Sequence, residues 1–385
     1  MTDFYCSQKF TWLNVDLEKR TSYSCCSATP TRVDLDWLKH NPGQLFNTPL
    51  LHQERQDMLN NIPVASCEAS CWSPERDNLV SRRIEFKSHE KTHVELTSLP
   101  DTINIVVGST CNLTCSYCCK NYSTAWARDV ANAGPYQVGG DRFTASAMDR
   151  VISKISHSEH EVSAGYQLLL SELTKFKNVN TVYVTGGEPF LYNSLIELVT
   201  DLANNQKEVV IFTGLGVNLA RFLTIVKKLQ GINNLKIVIS AENTDLLYEF
   251  NRYGNKFQDL CVKVALLAEH NITVEFATVL SNITLPGLQE FVNYFSDYKI
   301  NHNLCNDPDF LRVNVMDLHS KQLILNSLHT MKLSPELQDS LAHAVQQPCS
   351  EQQKTNAASY LQEFAARRNM SLDMFSVEFI NWLYK

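Results

Sequence analysis

The chain has 385 residues, 44% hydrophobic and 19% charged, which suits a foldable protein with room for a core of about 200–250 residues and a smaller module. A formal net charge of −7 excludes a broadly basic nucleic-acid surface, though not a local basic groove. No apolar stretch is long enough to span a bilayer and no basic-then-apolar segment opens the chain. The expected location is therefore a reducing cytoplasm, where twelve cysteines point to metal binding rather than disulfides.

In chain order, Cys6, Cys25, Cys26, Cys67 and Cys71 fall within the first 75 residues. A polar, charge-rich stretch from Ser73 to Pro100 reads as a surface connector with one strand at Arg83–Phe86. From Thr102 onward short apolar runs alternate with helical patterns. The expected strands are Ile103–Val107, Thr181–Thr185, Glu208–Thr213, Leu235–Ser240, Thr273–Val279 and Leu311–Val315. The expected helices are Thr144–Ser156, Ser194–Asn204, Asn218–Leu229, Asp245–Tyr253, Phe257–Glu269 and Leu285–Tyr298. Buried β-branched runs between amphipathic helices predict βαβ units and a parallel sheet. After Asp317 the pattern is helical. Ser334-Pro335-Glu336 supplies an N-cap with proline at the first helical position, and Ala357–Arg368 follows. A last segment carries Phe375, Phe379, Trp382 and Leu383, read as packing residues.

The most informative stretch is Cys111-Asn-Leu-Thr-Cys115-Ser-Tyr-Cys118, directly after the first of these strands. Three thiolates in one short loop can hold three irons of a 4Fe–4S cube and leave the fourth iron open for chemistry. A structural zinc knuckle is the alternative. On the second strand's exit, Val184-Thr185-Gly186-Gly187-Glu188-Pro189 combines two permissive glycines with a proline that ends sheet pairing.

Together the C-x3-C-x2-C loop and the Gly-Gly-Glu-Pro turn resemble the radical S-adenosylmethionine (radical SAM) superfamily. That resemblance implies a partial (β/α)6 TIM-like barrel with its chemistry at the C-terminal strand ends. It implies a SAM-binding 4Fe–4S cluster on Cys111, Cys115 and Cys118, and a flavodoxin- or ferredoxin-type electron donor. By matching position, Glu188 with Gly186 and Gly187 would meet the amino group of SAM's methionine, and Tyr117 would lie beside the adenine. Ser240, in Ile239-Ser240-Ala241-Glu242, and Arg252, in Tyr248-Glu249-Phe250-Asn251-Arg252, resemble the residues that bind SAM's carboxylate, a task suited to a guanidinium fork. Glu242-Asn243 stands where the family commonly has Asp-Gly. Asn282, after the fifth strand, would by the same resemblance be a ribose contact. A strand-capping serine and a surface arginine are the structural alternatives.

The N-terminal order also resembles a family module. Cys6 precedes Phe10–Asp16 and then Cys25-Cys26. Leu45–Pro49, Arg55, Met58-Leu59 and Pro63 follow, before Cys67-Glu68-Ala69-Ser70-Cys71. This is similar to the SPASM/twitch auxiliary-cluster module, with two departures. Here the module precedes the core, and Leu17-Glu18-Lys19-Arg20 replaces the usual hairpin glycine. The resemblance implies a second 4Fe–4S cluster on Cys6, Cys25, Cys67 and Cys71, with Cys26 the other candidate for the second ligand. A four-cysteine zinc site remains the alternative.

Cys119, Cys261, Cys305 and Cys349 read as ordinary thiols, and His157 and His160 as solvated. Glu242, Asn314, Asp317 and His319 have only their place near strand ends to recommend them. The expected organisation is an auxiliary module at 1–75, a connector at 76–100, a radical SAM core at 101–317 and a helical extension at 318–385. The expected function is reductive cleavage of SAM to a 5′-deoxyadenosyl radical that abstracts a substrate hydrogen. The substrate expected first is a peptide or protein side chain. The alternatives are radical modification or isomerisation of a nucleotide, a nucleobase (including modified DNA of a virus) or a small metabolite, and a non-catalytic Fe–S or zinc scaffold.

Overall fold

A computed structural model describes residues 4–25, 27–76, 81–85, 96, 99–138, 163–176, 179–204 and 208–385. Its strands are β1 (Trp12–Asp16), β2 (Thr21–Tyr23), β3 (Thr31–Arg32), β4 (Thr102–Val106), β5 (Thr114–Cys115), β6 (Thr181–Thr185), β7 (Glu208–Thr213), β8 (Leu235–Ser240), β9 (Arg252–Tyr253), β10 (Thr273–Leu280) and β11 (Lys299–Leu304). The fold is α/β, with parallel strands, helices between them and a helical C-terminal region. Among the described residues no helix is long and apolar enough to cross a membrane.

The chain forms two compact units, 1–108 with 156–212 and 231–236, and 109–155 with 213–230 and 237–385. In the first unit the strand order is β7-β6-β4-β1-β2-β3. β1 pairs parallel with β4, β4 with β6 and β6 with β7, whereas β2 and β3 add antiparallel. Alternation sends Ile103, Ile105, Val182 and Val184 into the core. The opposite face carries half-buried Trp12, Asn104, Tyr183, Thr185 and Phe212. There Trp12 stacks on Tyr183 at 5.7 Å, and Asn104 donates to Asn14 Oδ1 at 2.9 Å.

The expected hairpin forms without its glycine. Asp16 Oδ1 accepts from the Lys19 amide at 2.8 Å, and Arg20 takes the left-handed backbone at φ 56°. The expected strand at Arg83–Phe86 is a helical turn, Arg82–Glu85, while Phe86 lies outside the described residues. Arg83 explains the difference. Its guanidinium is buried, donates to the Tyr5 carbonyl at 3.0 Å and pairs with Glu75, so these residues anchor a turn rather than pair with a sheet.

In the second unit the order is β11-β10-β8, with β10 and β11 parallel, and a separate antiparallel ribbon of β5 and β9. The last parallel strand differs from expectation. Leu311–Val315 is not a strand: Phe310, Leu311, Val313 and Val315 are buried in the helical core, and the Asn282 amide donates to the carbonyls of Phe310 and Val315 at 3.1 Å each. The strand is instead the mostly polar Lys299–Leu304, too little buried to show an apolar pattern. The helix expected to run to Tyr253 ends at Asn251, and Arg252–Tyr253 is β9. The expected helix Thr144–Ser156, with His157 and His160, lies outside the described residues.

The tail folds as helices Leu318–Ser327, Pro335–Gln346, Glu351–Arg367 and Val377–Leu383. Ser334 caps the second of these from the Leu337 amide, with Pro335 at its first position. Phe375, Phe379 and Leu383 enter the same apolar cluster as Trp126, Tyr360 and Phe364.

Candidate metal centres

The core cysteine loop sits in the second unit. Cys111 and Cys115 are buried and Cys118 half-buried, and all three pack around Leu113. The loop's backbone is held from outside. Trp126 Nε1 donates to the Cys115 carbonyl at 3.0 Å, the Cys111 amide donates to Thr124 Oγ1 at 3.1 Å, and Tyr360 Oη donates to the Ser116 carbonyl. Cys119 is fully buried in the helical core and belongs to packing.

The β5–β9 ribbon places Cys115 opposite Arg252. Arg252 leaves its helix because Asn251 is locked in place. The Asn251 carbonyl accepts from the Ser116 amide at 2.9 Å, its Oδ1 accepts from Ser116 Oγ at 2.7 Å, and its amide donates to Asn243 Oδ1 at 2.9 Å. The buried guanidinium donates from Nε to Glu242 Oε2 at 2.9 Å and from Nη2 to Glu242 Oε1, while Nη1 donates to Cys115 Sγ at 3.4 Å. Tyr117 Oη donates to Glu242 Oε1 at 2.6 Å, and the Tyr117 ring lies 5.0 Å from the guanidinium carbon. Desolvation works against the Arg252 charge, but the neighbouring Glu242 outweighs it and raises the guanidinium's pKa well above its ordinary value. Burial likewise pushes the Tyr117 phenol well up.

Thus Tyr117, Arg252 and the three cysteines come together. Ser240 ends β8 half-buried. Asn282 is sealed in the core, its amide spent on two carbonyls and its Oδ1 without a hydrogen-bond partner. Glu242 is the residue whose importance the sequence hid: nothing in Ser240-Ala241-Glu242-Asn243 announces a buried ion pair ten positions away.

Gly186, Gly187 and Glu188 belong to the first unit. Gly186 adopts φ 142°, and a Cβ there would lie 2.8 Å from the Gly108 carbonyl oxygen, which also accepts from the Gly187 amide at 2.7 Å. The glycines thus allow the exits of β4 and β6 to touch. Glu188 is fully buried, and its Oε1 accepts from the Phe190 amide at 3.1 Å, capping the turn Pro189–Leu191.

The first unit also holds the N-terminal quartet. Cys6, Cys25, Cys67 and Cys71 line one cavity, together with Lys9 and Arg83. Cys67 ends a 3-10 turn and Cys71 lies in a π-helical turn, Glu68–Trp72, a wider coil of a kind often found at functional sites. Burial pushes the Cys6 thiol up to about 11 and raises Cys67 and Cys71 as well. Cys26 lies outside the described residues. Arg55 is structural: it donates to the Phe46 carbonyl at 3.1 Å and to Asn47 Oδ1 at 2.6 Å, and stacks on Phe46. Among the described residues no three His, Cys, Asp or Glu side chains stand close enough to share a single metal ion; a cube spreads its thiolates over separate irons.

No protein-family profile matches the chain. It is 22% identical over 235 residues to the radical SAM cyclopropyl synthase TigE of Paramaledivibacter caminithermalis, covering 60% of this chain and 46% of that protein. The chain therefore spans about half the length of the curated relative it matches. Among solved structures, anSMEcpe with bound AdoMet is similar at 16% identity and a TM-score of 0.38, over 54% of this chain and 53% of that one. Streptococcus suis SuiB bound to S-adenosylmethionine is similar at 12% identity and a TM-score of 0.37, over 85% of this chain and 68% of that one.

Proposed function

We propose that this chain, a member of the radical SAM superfamily, binds a SAM-coordinating 4Fe–4S cluster through Cys111, Cys115 and Cys118 and uses it to modify a peptide or protein side chain. The observation that carries the reading is the gathering of three thiols around Leu113 in a loop whose backbone is braced by Trp126, Thr124 and Tyr360. A braced loop offers its thiolates without having to order itself on binding. Bound there, the cluster would supply the electron that cleaves SAM to a 5′-deoxyadenosyl radical, which then takes a substrate hydrogen. Glu188, Gly186, Gly187, Ser240, Arg252, Tyr117 and Asn282 are the proposed SAM-binding residues, Asn282 the least favoured because its amide is already committed.

A second 4Fe–4S cluster on Cys6, Cys25, Cys67 and Cys71 is supported by the single cavity these four side chains line. The raised thiol pKa values mean that metal must displace protons there, coupling loading to pH. The auxiliary-module likeness favours a peptide or protein substrate. So does the half-buried sheet face of Trp12, Asn104, Tyr183, Thr185 and Phe212, since β1, β4, β6 and β7 carry no lysine or arginine to meet a phosphate. A flavodoxin- or ferredoxin-type protein is the proposed electron donor.

The test is anaerobic reconstitution followed by SAM and dithionite. The expected result is 5′-deoxyadenosine, abolished in the Cys111→Ala/Cys115→Ala/Cys118→Ala variant, which should retain roughly four irons if the N-terminal site binds its own cube. Wild-type protein that binds iron but makes no 5′-deoxyadenosine would overturn the enzyme reading. Hydrogen abstraction from nucleotides but never from peptides would overturn the substrate class.

A further inference from the structure

Arg252 is placed differently from an arginine held ready only for a ligand. Glu242 takes its Nε–Nη2 edge, and the remaining Nη1 points at a cysteine sulfur, Cys115 Sγ, 3.4 Å away. Among the described residues the polar partners of the guanidinium are Glu242 and Cys115, and the Tyr117 ring lies against it. Glu242 is held in turn: it accepts from Tyr117 Oη and from the Val279 amide at 3.4 Å, and it is fully buried. The arrangement is a relay of position, from β10 and Tyr117 to Glu242, from Glu242 to Arg252, and from Arg252 to one thiol of the core loop.

We propose that Glu242 is a positioning residue that aims Arg252 Nη1 at the Cys115 thiolate, so that an N–H···S hydrogen bond raises the reduction potential of the core cluster. The proposal rests on the reading that Cys115 ligates that cluster. The physical reason is general: a hydrogen bond and a cation beside a cluster sulfur favour the reduced, more negative state, and residues behind the ligands set such potentials. The pair carries no net charge, so the long-range field is nearly cancelled and the directed hydrogen bond is what remains. Glu242 stands at the position where Asp-Gly is usual, and its longer side chain spans the gap to a guanidinium arriving from β9.

The experiment is an EPR-monitored redox titration of the reconstituted protein without SAM, with iron counted in each sample. Two variants carry it. Glu242→Asp keeps the charge and withdraws the aim; Glu242→Gln/Arg252→Gln removes both charges and leaves neither buried alone. The expected result is a more negative midpoint for the core cluster in both, at unchanged iron content, with the Cys6–Cys71 cluster signal unmoved. If one variant does not fold, the other decides. An unchanged midpoint in a folded, fully loaded variant, with only SAM affinity reduced, would overturn the proposal and return Arg252 to SAM's carboxylate alone. Failure of the underlying reading looks different: the Cys111→Ala/Cys115→Ala/Cys118→Ala variant would then hold as much iron as the wild-type protein.

Discussion

Lys9 Nζ lies 2.5 Å from Glu54 Oε2, and the two side chains are only 1% and 10% exposed. Ser66 completes the group, accepting from Lys9 at 2.9 Å and donating to Glu54 Oε1 at 2.6 Å, one residue before Cys67. A buried pair costs its desolvation, but an unpaired partner costs more. Lys9→Met should therefore destabilise the protein by about 3–5 kcal/mol, and Lys9→Met/Glu54→Gln should recover most of that loss. Urea midpoints of the two variants check this; equal losses would refute the pairing.

The contact between Gly186 and Gly108 predicts a second stability effect. Alanine at Gly186 must hold φ 142° and place its Cβ 2.8 Å from backbone oxygen, which cannot swing aside. Gly186→Ala should cost at least about 2 kcal/mol. Gly231 also has positive φ, 85°, but open space around it, so Gly231→Ala should cost only about 1 kcal/mol. Denaturation midpoints separate the two. Equal effects would mean that strain alone, and not the close approach, sets the requirement at Gly186.

What the sequence made legible follows from where the physics was local. Strands Thr181–Thr185, Glu208–Thr213 and Leu235–Ser240 have apolar runs that nothing else could satisfy, and they were found to the residue. Lys299–Leu304 gives no such signal, because it is mostly polar and only half-buried or exposed, and its place is set by pairing with β10. Leu311–Val315 misled because alternating apolar residues can also plug a helical core. Cys111, Cys115 and Cys118 were legible as a spacing, whereas Glu242 was not. Its partner Arg252 lies ten positions on, and its other partner, Tyr117, is 125 positions away.

Bracing of the cysteine loop by the tail predicts that a distant substitution loosens it. Tyr360 is buried, and its hydroxyl satisfies the Ser116 carbonyl between Cys115 and Cys118. Burial raises its phenol pKa well above the usual value, so the group stays a donor at any working pH. Tyr360→Phe leaves that carbonyl unpaired in the core and should cost about 1–3 kcal/mol. The same variant should lose iron faster under chelator from the proposed core cluster, while iron at the proposed N-terminal site is lost at the wild-type rate. Parallel loss from both sites would show global rather than local loosening.

His302 gives the pH dependence. It stands opposite Thr278 across the β10–β11 pair, with Nδ1 2.7 Å from Thr278 Oγ1, and desolvation lowers its pKa to about 4. The unfolded chain's histidine titrates near 6.5, so between about pH 6.5 and pH 4 the unfolded state holds a proton that the folded state refuses. Stability from this site is therefore complete above pH 6.5 and is lost as pH falls toward 4. The ring is partly exposed, which weakens the effect, and the expected loss between pH 7 and pH 5 is about 1 kcal/mol. His302→Gln keeps a polar partner for Thr278 and cannot titrate. Its urea midpoint should fall less steeply over that interval than the wild-type midpoint does. Identical slopes would mean that His302 is hydrated enough in the folded state to take up its proton normally.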